Sequence, residues 1–342
     1  MDGRKRIVFV INPVSGTHGK KAILDLLYTK IDRDKYNFDV LKTDRAGHAV
    51  EIAANAAADG IDIVVAIGGD GTINEIARSL VHTETALGII PCGSGNGLAR
   101  HLQIPLDARG AIEVINNGNL YCIDYGKINE YPFFCTCGVG FDAFVSLKFS
   151  KAGKRGVLTY LEKTLQESLN YKPDTYEIES ADGENMRYKA FLIACANASQ
   201  YGNNAYIAPQ ALLNDGLMDV TILEPFTVLD VPTLAFQLFN RTIDQNSLIK
   251  TFKCKKLQIR RGHKGVMHYD GDPVMSGENI DVEIIENGLK VIVPENRKKD
   301  SNVFQKASDY LNGIRPIGDA IVEDITSKNK RLLNHLRRKI DE

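Results

Sequence analysis

The chain opens with blocks of apolar residues separated by polar turns. Ile7–Ile11 is a continuous apolar run that stops at Asn12-Pro13, and it reads as a short buried strand. Lys20–Ile31 carries Ala22, Ile23, Leu26 and Leu27 at helical spacing. Phe38–Leu41 reads as a second strand, Ala49–Ala58 as an alanine-rich helix, and Ile61–Ile67 as a third strand. A helix is expected from about Asn74, then a strand over Ala86–Ile90 that ends at Pro91. Strands with unbroken hydrophobicity are covered on both faces, as central parallel strands are. Alternating with helices, they predict a doubly wound α/β domain.

Near Asp124 the pattern changes and strands dominate. Tyr176–Ser180 and Tyr188–Ala196 flank "ADGEN", a hairpin signal built on Asp182-Gly183. Asp219–Leu223, Leu257–Arg260 and Asp281–Ile285 follow, and "ENG" (Glu286–Gly288) is expected to turn the chain into Leu289–Val293. Val157, Leu158, Leu161, Leu165 and Leu169 share one helical face. The reading is therefore an α/β domain over 1–123, to which about 289–296 returns, and a mainly antiparallel β domain over 124–288. A charged helical extension over 297–342 follows.

Composition narrows the partners. At 342 residues and a net charge of −1, the whole molecule is not an electrostatic nucleic-acid binder. The apolar run after the basic start is too short for a signal peptide. No stretch reaches the roughly 18 apolar residues that span a bilayer, so a cytoplasmic protein is expected. Of the six cysteines, Cys135 and Cys137 flank Thr136, the wrong spacing for a zinc knuckle or a redox pair.

The loops after the strands carry the candidate chemistry. Gly68-Gly69-Asp70-Gly71-Thr72 follows one strand, "INPVSG" (Ile11–Gly16) another, and "IIPCGSGNGLAR" (Ile89–Arg100) a third. Glycines there let backbone N–H groups approach a ligand, and a following helix turns its positive end to the same place. Parallel strands gather their C-terminal ends on one edge. Three such loops point to one nucleotide cleft. Neither a P-loop nor a dinucleotide fingerprint is present. Asp70 would repel a bare phosphate; it suits a bridging Mg²⁺ or a proton transfer, or else it is the cap of a tight turn. Two acidic stations lie further on: Asp215 and Asp219 around Gly216, and Asp270 and Asp272 around Gly271. Each reads as a turn, or as a carboxylate that accepts a hydroxyl proton and oxygen that ligates metal.

Taken in order, these motifs resemble the diacylglycerol kinase catalytic family, which includes soluble bacterial lipid kinases and the sphingosine and ceramide kinases. The resemblance runs through Asn12-Pro13…Ser15-Gly16, Gly68–Thr72 with Asn74-Glu75, and Gly93-Ser94-Gly95-Asn96 with Leu98-Ala99-Arg100. It continues through "GVGFDA" (Gly138–Ala143), "PQALLNDGLMDV" (Pro209–Val220) and "DGD" (Asp270–Asp272), and covers roughly residues 5–295. It implies a nucleotide-binding α/β domain, a β-sandwich domain, and an active site in the cleft between them. It implies that ATP is held by Asn12, Thr43, Gly68, Gly69, Asp70, Gly71, Thr72, Ile73, Asn74 and Ser94. A structural Mg²⁺ site would take the carbonyls of Leu212 and Leu217 and the side chain of Asp215. Asp272, where the family has glutamate, would accept the proton, with Asp270 sharing the role. The Ser94-Gly95-Asn96-Gly97 form leans towards the sphingosine-kinase-like members.

The expected activity is ATP- and Mg²⁺-dependent phosphorylation of a membrane-lipid hydroxyl, on diacylglycerol or a sphingoid base. Asp70→Asn is expected to abolish transfer and leave melting nearly intact. The alternatives are an NAD kinase, which shares Gly-Gly-Asp-Gly, and a nucleotide-binding regulator weakened by the shorter acid at 272. Lys148, Lys151, Lys154 and Arg155 ahead of an apolar helix face suit contact with an anionic membrane, or are a solvated loop. Phe133, Phe134, Phe141 and Phe144 line an acyl pocket or are ordinary core. The basic tail from Lys328 reads as a second membrane contact or as a helix that packs a homodimer.

Overall fold

The computed structural model of the chain describes residues 3–13, 20–152, 171–180, 183 and 185–296, with the backbone alone at 149–152. The Ser15-Gly16 end of the first loop, Lys154, Arg155, the Val157–Leu169 face and the extension over 297–342 lie outside the described residues, as does the side chain of Lys151.

The first part alternates β1 (Lys5–Ile11), α1 (Lys20–Lys30), β2 (Tyr36–Lys42), α2 (His48–Ala58), β3 (Ile63–Gly68), α3 (Asp70–Leu80) and β4 (Ala86–Pro91). These strands are parallel in the order β2-β1-β3-β4. The chain leaves β1 to one side for β2 and returns to its other side for β3. The crevice between the ends of β1 and β3 is thus a switch point, where α/β sheets bind ligands. All of β3 and β4 is buried, which explains their unbroken apolar runs.

Two short helices, α4 (Gly97–His101) and α5 (Ala108–Asn117), lead into β5 (Asn119–Ile128), β6 (Tyr131–Phe133), β7 (Thr136–Gly140) and α6 (Phe141–Ala152). Then come β8 (Asp174–Ser180), β9 (Asn185–Ala190), β10 (Leu192–Ala196), β11 (Met218–Leu223), α7 (Val231–Phe239) and β12 (Ile249–Cys254). The last strands are β13 (Lys256–Arg261), β14 (Gly265–Tyr269), β15 (Asp272–Ser276) and β16 (Asn279–Val293). They form two sheets. One runs β2-β1-β3-β4-β16-β13-β8-β9, with β5 paired to β16 and β6; the other runs β12-β11-β10-β7-β14-β15. The architecture is a mixed α/β N-terminal domain followed by a mainly antiparallel β-sheet domain. The boundary expected near Asp124 falls inside β5, which pairs with β16 along both halves of its length.

Three elements differ from the sequence reading. The helix expected from Asn74 starts at Asp70; the glycines before Asn74 offer no apolar spacing to reveal its first turn. Tyr188–Ala196 is two strands, because the chain passes from one sheet to the other at Phe191. The burial pattern records this: alternating in β9, continuous in β10. "ENG" is no hairpin turn but a bulge inside β16, between Ile285, paired with Tyr125, and Leu289, paired with Ile123. Asn287 sits at φ 51°, and its N–H donates to the Asp124 carboxylate at 2.7 Å, so the strand stays beside β5.

The core has three parts. One lies under the parallel strands, one between the two sheets, and one on the outer face of the second sheet beneath α6 and α7. Phe134, Phe133 and Phe141 belong to the first, second and third respectively, and Phe144 packs on the third. They are core residues in separate places, not the lining of one acyl pocket.

Candidate active site

The ends of β1, β3 and β4 meet as the glycine loops require. α3 begins at Asp70, with Gly69 extended before it. The first N–H groups of a helix have no intrahelical partner and carry its positive end. Asn12, after β1, donates its Nδ2 to Thr72 Oγ1 at 3.4 Å. Thr43 is buried, its N–H on the Ile11 carbonyl at 3.0 Å. Ser94 is exposed on the loop after β4, and that loop is pinned by Cys92 N–H to the Gly68 carbonyl at 2.7 Å. Gly93 lies against Gly69; a Cβ there would stand 2.6 Å from the Gly69 Cα, so only glycine lets the two loops touch. Asn12, Thr43, Gly68–Asn74 and Ser94 therefore share the C-terminal edge of the parallel strands.

Asp70 turns away from the role of an open metal ligand. Its Oδ2 accepts Asn96 N–H at 2.8 Å and its Oδ1 accepts Gly97 N–H at 2.7 Å. The carboxylate thus clasps the start of α4 and joins the second loop to the third. Asn96 holds a left-handed backbone (φ 52°) and takes Gly93 N–H on its own Oδ1 at 3.0 Å. Burial raises the Asp70 pKa, the two N–H donors oppose this, and the nearby Asp270 charge raises it further.

Asp270 lies in a tight hairpin turn and Asp272 follows it. Tyr269 pairs with Asp272, and Asp270 and Gly271 between them have φ of 45° and 88°. That is the two-residue turn favoured by Asp-Gly. The turn sends the two carboxylates to different environments. Asp270 is half-buried: Oδ1 accepts Cys135 N–H at 2.8 Å and Thr136 N–H at 3.1 Å, and Oδ2 accepts Phe134 N–H at 2.8 Å and Asn74 Nδ2 at 2.9 Å. Four donors saturate a carboxylate. Asp270, expected to share in proton transfer, is therefore placed as the clamp between α3 and the β6–β7 connection. Burial still raises its pKa against those donors. Asp272 is solvent-exposed, with no hydrogen bond or ion pair to its carboxylate among the described residues. The protein packed behind it raises its pKa, and the charges of Asp270 and Glu75 add to this, opposed by Arg78 and His268. A free carboxylate held above its ordinary range is suited to general-base work. Between Asp70 and Asp270 lies a cavity of about 10 Å³ lined also by Ile73, Asn74, Leu98, Phe134 and Cys135, room for about one water.

The other acidic station faces a lysine. Asp215 Oδ2 accepts Lys253 Nζ at 2.9 Å, and its Oδ1 accepts Leu217 N–H at 3.1 Å. Asp219 Oδ2 is 3.0 Å from the same ammonium. Burial works against the Lys253 charge, but the two carboxylates outweigh it and raise its pKa. Asp219 is raised by burial, with Asp215 and Asp244 adding to it. Leu212, expected beside Asp215, has a mostly exposed side chain. Of the expected set of Leu212, Asp215 and Leu217, the Asp215 carboxylate is thus engaged by Lys253 and by the Leu217 N–H.

Several contributors escaped the sequence. Asp124 is buried in β5 and accepts Gly216 N–H at 2.8 Å as well as Asn287 N–H, tying the Asp215 loop to the bulge. Asp142 accepts Tyr201 OH at 3.0 Å, and its Oδ2 lies 3.1 Å from Nε2 of the buried His268. No sequence pattern announced that Asn74 reaches Asp270 across 196 positions.

Comparison with known proteins fits this arrangement. The diacylglycerol kinase catalytic domain matches residues 6–128, and the YegS C-terminal NAD kinase beta sandwich-like domain matches residues 135–293. The chain is 30% identical over 257 residues to "Probable lipid kinase YegS" of Escherichia coli O127:H6, covering 72% of this chain and 83% of that protein. It is 28% identical over 305 residues to "Diacylglycerol kinase" of Bacillus subtilis strain 168, covering 86% and 98%. The crystal structure of a diacylglycerol kinase from Bacillus anthracis strain Sterne shares the fold, with a TM-score of 0.65 at 20% identity over 85% of this chain and 97% of the other. With both halves matched in order, the chain belongs to the lipid kinase family defined by the diacylglycerol kinase catalytic domain and the YegS-type C-terminal domain.

Proposed function

We propose that the protein transfers the γ-phosphate of ATP to a hydroxyl of a membrane lipid, diacylglycerol or a sphingoid base, with Asp272 as the general base. The observation that carries this reading is the contrast at the β14–β15 turn: one carboxylate saturated, its neighbour exposed and unpaired. ATP phosphates would lie at the N-terminus of α3, against Gly68–Asn74, with Asn12, Thr43 and Ser94 at the rim. Mg²⁺ carried with ATP supplies charge neutralisation on the phosphates. Each oxygen of Asp70 keeps acceptor capacity beyond its one N–H bond, which fits a contact to that ion through water. Asp70 holds the second and third loops together. Asp272 takes the hydroxyl proton as the lipid oxygen attacks in line, and Asn74, anchored by Asp270, keeps α3 registered against that hairpin.

No helix among the described residues is long and apolar enough to cross a membrane. A peripheral contact is supported by the 225–240 segment, whose one charged residue, Asp230, is engaged by Thr227 N–H at 2.8 Å. It exposes Val228, Leu229 and Phe236, the kind of surface that a bilayer covers. The test is transfer from labelled ATP in mixed micelles containing diacylglycerol, monoacylglycerol, ceramide or a sphingoid base, with NAD as the soluble control. Label in one lipid is the expected result. Label in NAD, or bound ATP with no label anywhere, overturns the reading.

A further inference from the structure

We propose that the acidic loop at Asp215 takes no divalent ion, because the chain supplies its own cation there, the Lys253 ammonium. The placement follows from strand register. β11 and β12 are antiparallel with Asp219 directly opposite Lys253, and Asp215 lies one turn of loop earlier, where Gly216 at φ 72° folds the chain back. Lys253 Nζ therefore lies between the two carboxylates, 2.9 Å from Asp215 and 3.0 Å from Asp219. The contact to Asp215 is a charge-assisted hydrogen bond; that to the buried Oδ2 of Asp219 is an ion pair without hydrogen-bond geometry. The second oxygen of Asp215 faces the Leu217 N–H at 3.1 Å, a donor that a metal-ligating oxygen would not need. A divalent ion at Asp215 would stand within reach of the ammonium, and two like charges at that separation repel strongly. The loop is also held without metal from its other side, where Asp124 takes the Gly216 N–H at 2.8 Å and donates its own N–H to the Leu213 carbonyl at 2.6 Å. Order in this loop then depends on a fixed side chain and not on the supply of Mg²⁺.

The test uses the full chain without nucleotide, reads ion uptake and melting, and stands whether or not the lipid reading holds. Mn²⁺ is titrated and the free ion counted by electron paramagnetic resonance; melting is followed with and without Mg²⁺. Wild type and Asp215→Asn are expected to take up the same amount of Mn²⁺ and to show the same response to Mg²⁺. Lys253→Met is expected to melt lower than wild type and to gain one Mn²⁺, with melting raised by a few degrees when Mg²⁺ is present. A wild-type ion that Asp215→Asn removes overturns the proposal. So does a Lys253→Met protein that melts like wild type and gains no ion. Should Lys253→Met fail to fold, the Lys253→Met/Asp219→Asn pair, which removes one charge of each sign, is expected to restore folding; failure of that pair to do so also overturns it.

Discussion

The two acidic turns of the C-terminal half are nearly alike in sequence, Asp215-Gly216 followed by Asp219, and Asp270-Gly271 followed by Asp272. In the first, a lysine fixed by cross-strand register faces both carboxylates. In the second, backbone N–H groups and Asn74 consume the first carboxylate, and nothing described pairs with the second. Whether an acidic turn is inert or reactive is set by what lies opposite it, and those neighbours come from distant parts of the chain. A free carboxylate beside a saturated one is also a way to raise a pKa: the protein packed behind Asp272 raises it first, and the charge of Asp270 adds to this without competing for the proton.

The comparison breaks most visibly at Asp272. Asp272→Asn is expected to slow transfer by about 10²–10⁴-fold, the range of a lost general base, while an exposed substitution moves stability by about 0.5 kcal/mol or less. Single-turnover transfer and thermal melting of one preparation check both halves; a large fall in melting would show that Asp272 is structural.

Asp270→Asn should show the reverse emphasis. An amide presents an NH₂ group to N–H donors, so at least one buried donor loses its acceptor, at a cost of about 3 kcal/mol or more. Asp70→Asn is expected to destabilise in the same way, because it opposes the Asn96 or Gly97 N–H. The geometry thus replaces the expectation that this variant melts nearly like the parent, and urea midpoints measure the difference. Lys253→Met comes next, with about 1–3 kcal/mol of stability lost and transfer per folded molecule unchanged.

The smallest effect is in the pH profile. Asp272 must be ionised to accept a proton, and its folded pKa lies above the ordinary 3.8. Transfer should therefore fall as pH drops through that raised value, earlier than for an ordinary aspartate, and Asp272→Glu should keep an acid limb that Asp272→Asn loses. Stability runs the other way. The native carboxyl holds its proton more tightly than the unfolded chain does, so its contribution declines as pH rises from the unfolded to the folded value. Denaturant midpoints of wild type and Asp272→Asn across pH 3–7 would show the gap opening in that window.

Much of the fold was legible because its signals are local. The buried strands β1, β3 and β4 declare themselves in Ile7–Ile11, Ile63–Ile67 and Ala86–Ile90, and the glycines that let the loops touch sit directly after them. What stayed hidden depends on contacts remote in sequence. "ENG" has the composition of a turn, but Asp124 across the sheet makes it a bulge. Asp70 and Asp270 carry the residue type of a catalytic acid, but the donors that occupy them are backbone N–H groups, which every sequence has. Lys253, the partner of Asp215, likewise lies outside the motif that suggests a metal there.

The long strand β16 bears on the order in which this protein can be made. β4 receives its outer neighbour only through Val291 beside Leu87, near the end of the described chain. A nascent chain that has emerged as far as β4 has every motif of the nucleotide loops but an open sheet edge, which is a template for pairing with other chains. Roughly 200 further residues, some 10–40 s of synthesis at 5–20 residues per second, separate that point from closure. The first half of this kinase is therefore exposed to misassembly for as long as β16 is still in the ribosome.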